Sequence, residues 1–392
     1  MYHYLKHSFF VVTIPIVAIL VVVAPEWAFV APLAIAAFHI LIDIGTPRET
    51  SVPSYRMPGA LDAYLYLHVV VSLLSLGALL WVAAPGDLWG VGQWLDRRFN
   101  LDLVGTSDHA SWSALVAAGL TVGFLISTNT LVGHELVHRT TDRFAMFTGR
   151  WLLALAGDAQ FSISHVYGHH VNVGTPQDPA TARRGENLYA FVLRSTLGQY
   201  REAWEIEQRK LRGRSWLSRL LANKVVSGIA MTAIVVVGFY AYAGTRGLVA
   251  YALALILAKV LFEGVNYIEH YGLVRAPGTR VEPRHSWDCS TRAASNILMN
   301  LTRHSHHHAD ARVKYWALKP VDGTLDLPYG YFGHIIMAMI PPLWHRFAAP
   351  RLAEWDDKTA NPGERELAAQ ANRQSRHRLF AGTKAQAVVE DH

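Results

Sequence analysis

This chain is short of cysteine and short of charge, and each shortage narrows what it can be. One cysteine in 392 residues, Cys289, excludes a disulfide framework, a cysteine-based zinc site and a rubredoxin-type iron site within the chain. Charged residues make up 17% of it, against about 25% in an average soluble domain. No nicotinamide or flavin fingerprint is present, so any redox chemistry needs electrons from outside. What is abundant is apolar: 51% of residues, with 12 Trp among them. They gather in runs long enough to cross a bilayer, and that decides the class. In such a chain a net charge of +6 points to loops beside anionic lipid and away from nucleic acid as a partner.

Six runs read as spans, at residues 8–24, 27–44, 61–84, 111–133, 225–244 and 248–267. Each is near the ~20 residues a helix needs to cross the hydrocarbon core. The first run has no clear small-x-small cleavage site and a second follows at once, so it reads as a retained span. Arginines crowd segment 134–224, while the turns at Pro25 and Gly244 carry almost none. The positive-inside bias then places both termini and that segment in the cytosol of a bacterial-type inner membrane. The expected fold is all-α: a six-span bundle with a cytosolic helical cap, 134–224 and 268–350, and a polar, mobile tail, 364–392. The whole of 1–392 reads as one domain.

The chemistry lies in the histidines. His134-Glu-Leu-Val-His138, His165-Val-Tyr-Gly-His169-His170 and His304-Ser-His306-His307-His308 total 16 residues and hold nine of the twenty histidines. Uniform scatter would put about one there. Residues three or four apart share a helix face, so His134 with His138, His165 with His169, and His304 with His307 or His308 can each grip one metal. Adjacent histidines point about 100° apart, which lets one cluster reach two ions, or one ion and a partner behind a ligand. A fourth element ends the sixth span, where Lys259, Glu263, Asn266 and His270 make a polar stripe in an apolar helix. Ionisable groups at that depth are costly unless they face a site. His39 and His68 read as packed core histidines, His3, His7, His377 and His392 as surface, and His109 as solvated. Catalytic zinc needs three protein ligands and an open position, and so many imidazoles suit two ions instead. Imidazole accepts iron, copper or zinc alike. The membrane setting favours iron, because a strong oxidant is useful where hydrocarbon dissolves.

The motifs 134–139 (HELVHR), Gly168-His169-His170, 266–273 (NYIEHYGL) and 303–309 (RHSHHHA) resemble those of the membrane fatty acid desaturase/hydroxylase superfamily. Within it the chain looks like the AlkB-type alkane 1-monooxygenases and the xylene monooxygenase hydroxylase subunits. Segments 175–181 (TPQDPAT), 285–287 (HSW) and 337–342 (MAMIPP) match as well, and 362–367 (PGEREL) looks like the xylene-type relatives. The resemblance implies nine metal ligands: His134, His138, His165, His169, His170, His270, His304, His307 and His308. It implies two non-haem irons and insertion of one atom of dioxygen into a terminal or benzylic methyl C–H, the other atom leaving as water. It implies electrons from NAD(P)H through a reductase and a rubredoxin or ferredoxin-like donor. Glu135, Asp178 and Glu269 are the carboxylates expected to align the imidazoles. His306 is not counted as a ligand. Arg143, Arg183 and Arg184 can steer an acidic donor or anchor to lipid, and Ala31, Ala34, Ala36 and Ala37 can leave room for an alkyl chain or permit close packing. A fatty acyl desaturase shares the metal chemistry. An intramembrane zinc protease, with Glu135 as general base, is a rival of another class, as is a metal carrier.

Overall fold

The protein is described by a computed structural model covering residues 2–103 and 110–381. His109, His392 and the last part of the expected tail lie outside the described residues. The architecture is helical, with one two-residue parallel pairing of β1 (Trp287–Asp288) with β2 (Leu325–Asp326). The principal helices are α1 (Phe9–Val23), α2 (Val30–Gly45), α3 (Gly59–Ala83), α4 (Trp112–Val137), α5 (Arg143–Leu155), α6 (Leu188–Lys210), α7 (Lys224–His270), α8 (His304–Ala309), α9 (Gly330–Ala338), α10 (Pro341–Lys358) and α11 (Pro362–Ser375).

Among the described residues, four helical segments are long and apolar enough to cross a membrane: Pro25–Gly45 (α2 with the 3-10 turn before it), Gly59–Ala83, Trp112–Val137 and Lys224–His270; Phe9–Val23 is a shorter apolar helix. The 47 residues of α7 are not one straight rod. Gly244 leaves the helical region at φ 55°, ψ −142°. Phe239 and Tyr251 then stack with centroids 4.6 Å apart, whereas twelve residues along a straight helix span about 18 Å. The chain therefore reverses at Gly244, and 224–243 runs antiparallel to 245–270. Only glycine takes that φ/ψ combination readily, which is why a hairpin forms there.

The second arm of α7 packs against α4 in parallel. A Cβ on Gly119 would stand 3.0 Å from Ala250 O, and one on Gly123 would stand 2.8 Å from Ala254 O. Both indices rise together, so the two helices point the same way, and small residues let their backbones approach closely. The consequence for function is direct. His134 near the end of α4 and His270 at the end of α7 emerge at one end of the bundle. Segment 138–224 leaves from and returns to that same end.

The apolar stretch 329–344 of the cap forms two helices, because Pro341 and Pro342 begin α10, where a missing N–H costs nothing. Two expectations are corrected. Segment 364–375, expected as part of a mobile tail, is helical. It is started by an Asn361–Glu364 capping box and buries Glu364, Ala368 and Asn372. His7, expected on the surface, is buried with Nδ1 at 2.9 Å from Asn296 O. His39 and His68 are both buried. His68 bonds Asn129 at 3.1 Å, while His39 stacks on Phe332.

Because Gly123 sits against backbone, Gly123→Val should cost about 1–3 kcal/mol by overpacking the α4–α7 contact. The thermal midpoint in detergent should fall. Gly77→Ala, which meets nothing within 4 Å, should leave it unchanged or slightly raised.

Candidate metal centre

The parallel α4 and α7 bring His134 and His270 to one level, and two further segments close over them. Nine imidazoles converge in two sets: His134, His138, His165, His170 and His307 in one, and His169, His270, His304 and His308 in the other. In each set the ligand atoms all lie within 4.8 Å of one another. The Nε2 atoms of His165 and His170 are 3.0 Å apart, those of His170 and His307 3.1 Å, and those of His134 and His138 3.3 Å. In the second set His270–His304 and His304–His308 are each 3.0 Å.

Pairing by helical spacing is partly corrected. Segment His165–His169 is a turn of π-helix. Its wider winding brings His165 beside His170, five residues on, and sends His169 to the other set. In α8, His304 joins His308, and His307 faces the first set. The sets adjoin, with His170 and His308 stacked at 4.3 Å between centroids. His306 lies outside both, and its Nδ1 accepts from Lys319 N–H at 3.3 Å.

The donor chemistry fits metal ions. With metal–nitrogen bonds of about 2.1 Å, two nitrogens at right angles around an ion stand about 3.0 Å apart. Burial first, and then repulsion between neighbouring rings, hold His165, His170, His307 and His308 well below the ordinary imidazole range. Neutral rings present lone pairs, the state a metal needs. His169 Nε2 is buried with no hydrogen-bond partner, which is costly unless something accepts its lone pair. Five nitrogens in one set exceed the four of a tetrahedral zinc site.

The ring orientations are set from behind. His169 Nδ1–H donates to Asp178 Oδ2 at 2.8 Å, and Thr181 Oγ1 and Ala180 N–H also donate to that carboxylate. Burial works against ionisation of Asp178, but His169 and these donors hold its carboxyl below the usual range. Glu269 Oε1 stands 3.3 Å from His304 Nδ1 and accepts from Tyr331 OH at 2.8 Å. Glu135 is placed differently from these two. It pairs with Arg139 at 3.1 Å, and Arg139 in turn reaches Asp62.

Other groups here escaped the sequence reading. Glu202 packs its carboxyl where a Cβ on Gly168 would be, so a side chain at 168 would displace that carboxyl. Burial, and then the Asp178 charge, push Glu202 up to about 7. Asp288 in β1 accepts from Ser305 N–H at 2.7 Å and so braces α8. Arg184 is buried, with both terminal nitrogens 2.6 Å from Asp356, which removes it as a docking charge. Arg143 and Arg183 are exposed.

A cavity of about 110 Å³ ends at this centre. Its walls include Phe10, Phe124, Leu131 and Leu261, and His134, His165 and His304 line it as well. The residues lining it do not include the α2 alanines Ala31, Ala34, Ala36 and Ala37.

Comparison with known proteins adds an independent line. The family profile described as fatty acid desaturase matches residues 110–333, which contain all nine histidines. The chain is 35% identical to an alkane 1-monooxygenase of Pseudomonas putida over 257 residues, 64% of this chain and 63% of that protein, just under two thirds of its length. It is 32% identical to alkane 1-monooxygenase 2 of Pseudomonas aeruginosa over 316 residues, 79% of this chain and 78% of that one. It is 34% identical to the xylene/toluene monooxygenase hydroxylase component XylM of Pseudomonas putida over 260 residues, covering 65% and 69%.

Since Asp178 aligns His169, Asp178→Ala should weaken metal binding by about 10–100-fold. A titration of the metal-free protein with cobalt(II) checks this, and unchanged affinity would remove Asp178 from that role.

Proposed function

The chain belongs to the fatty acid desaturase family, and from that premise we propose that it is an integral membrane monooxygenase of hydrocarbons. It inserts one atom of dioxygen into a terminal methyl C–H of an alkane, giving a primary alcohol and water. The observation that carries this reading is the meeting of two histidine sets with the end of an apolar cavity. The nine histidines are the proposed ligands of two iron ions. Bound there, the irons supply the dioxygen activation that the chain's own side chains cannot.

The side chains do the rest. Asp178 and Glu269 fix the rings of His169 and His304 so that their Nε2 atoms stay aimed inward. The aromatic and aliphatic walls exclude water and hold a hydrocarbon by burial alone, since an alkane offers no polar handle. The cavity follows α4 from Phe124 to His134, roughly 15 Å of helix, so a chain lying along it brings one end to the centre. Conversion of RH and O2 to ROH and H2O consumes two electrons and two protons. With one cysteine and no cofactor fingerprint, the electrons come from NAD(P)H through a reductase and a rubredoxin or ferredoxin-like donor.

The proposed placement is a bacterial inner membrane. Six spans cross it, with the Gly244 hairpin counted as two and Phe9–Val23 as the first. The histidine end and the cap of 134–224 and 268–350 face the cytosol as parts of one domain. Exposed Trp216, Leu217 and Leu221 beside Arg212, Arg214 and Arg219 support a lipid interface at that end. A second reading, the same chemistry on an alkyl-aromatic methyl, is favoured by the 34% identity to the xylene/toluene component.

Reduced, iron-loaded membranes supplied with an alkane series and xylene should yield alcohols, and His138→Ala should abolish product. An olefin from an acyl chain would point to a desaturase instead. Full turnover by the variant would count against His138 as a ligand.

A further inference from the structure

We infer that Glu364 of α11 is a positioning residue for the four-histidine set, acting through His285 on His270. The inference rests on the two-ion reading above. It begins from the ring of His270, which is fully enclosed. Nε2 faces its own set, 3.0 Å from His304 Nε2, so Nδ1 carries the proton. That N–H donates to the main-chain carbonyl of His285 at 3.2 Å. A carbonyl can align a ligand only as well as its own loop is held, and His285 lies in a short 3-10 turn, Pro283–His285.

The turn is held from within by Glu282, whose carboxylate also pairs with Arg284, and from behind by the carboxylate of Glu364. His285 Nδ1 accepts from Glu282 N–H at 3.0 Å, which leaves the proton on Nε2. Nε2–H donates to Glu364 Oε1 at 2.9 Å. Arg284 grips the same carboxylate in a fork, Nε to Oε2 at 2.9 Å and Nη2 to Oε1 at 3.1 Å. Trp355 Nε1–H pins the Arg284 carbonyl at 2.8 Å. Glu364 is itself fixed, since it accepts from Asn361 N–H at 3.0 Å while its own N–H donates to Asn361 Oδ1 at 2.9 Å. Glu364 is 2% exposed and His285 1% exposed, so neither contact is loosened by water. The PGEREL motif thus has a task that substrate chemistry does not explain. Its capping box starts a helix, and the same glutamate sets the angle of a ring far away in sequence.

The test is metal titration of the metal-free, detergent-solubilised full chain with cobalt(II), read as ions per chain and by the visible spectrum. Partners behind a ligand typically change metal affinity 10–100-fold. Glu364→Ala should therefore keep one ion at wild-type affinity and weaken the other by about tenfold or more, with its own spectral band lost first. Glu364→Gln keeps an acceptor for His285 and should fall in between. Glu366→Ala, exposed on the same helix, should match wild type. Equal weakening of both ions, together with a lower thermal midpoint, would mark a merely structural role and overturn the inference. So would two ions bound by Glu364→Ala as in wild type. A wild-type chain that takes up fewer than two ions would instead overturn the two-ion reading, and this inference with it.

Discussion

Imidazole lone pairs held 3.0 Å apart inside a buried pocket repel one another, and the rest of this fold exists to keep them there. Without a shared electron acceptor such an arrangement is unfavourable, because buried polar atoms need partners and neutral nitrogens facing each other supply none. Metal ions would resolve the conflict, and their binding energy would become part of the folding energy. Neutral ligands would bring no charge to offset bound cations, which leaves that role to a carboxylate one hydrogen bond behind the rings, Asp178.

The helices translate this requirement into architecture. Gly119 and Gly123 let α4 and α7 run side by side, so that two histidine-bearing helix ends finish at one level. The hairpin at Gly244 returns the chain to the same end and lets 138–224 fold over it. The π turn at His165–His169 splits three neighbouring histidines between two sets, a division that regular α-helix spacing does not make. The apolar cavity then ends on the polar centre, with His134, His165 and His304 in its wall.

Much of this was legible before any coordinates. Apolar runs reveal themselves by length, and histidines spaced at three or four declare a shared face, so the class and the elements carrying the chemistry follow from local pattern, while the set of nine histidines, with His270 in and His306 out, came from the family resemblance. Pairing across elements does not. His165 was matched to His169 because an α-helix puts them on one face, and nothing in the residue types announces a π turn. Helix α11 was missed because its surface-rich composition outweighed a four-residue signal, Asn361 to Glu364, that marks its start. His7 and Arg184 were assigned outward because their burial depends on partners 289 and 172 residues away, Asn296 and Asp356. Glu202 and Asp288 act on residues brought close only by the fold.

The most direct test of the central claim is Mössbauer spectroscopy, with elemental analysis, on the chain isolated from membranes grown on ⁵⁷Fe. Near two irons per chain, in two distinct nitrogen-rich environments of equal amount, is the expected result, one for each histidine set. A single ion, or zinc in place of iron, would contradict the account.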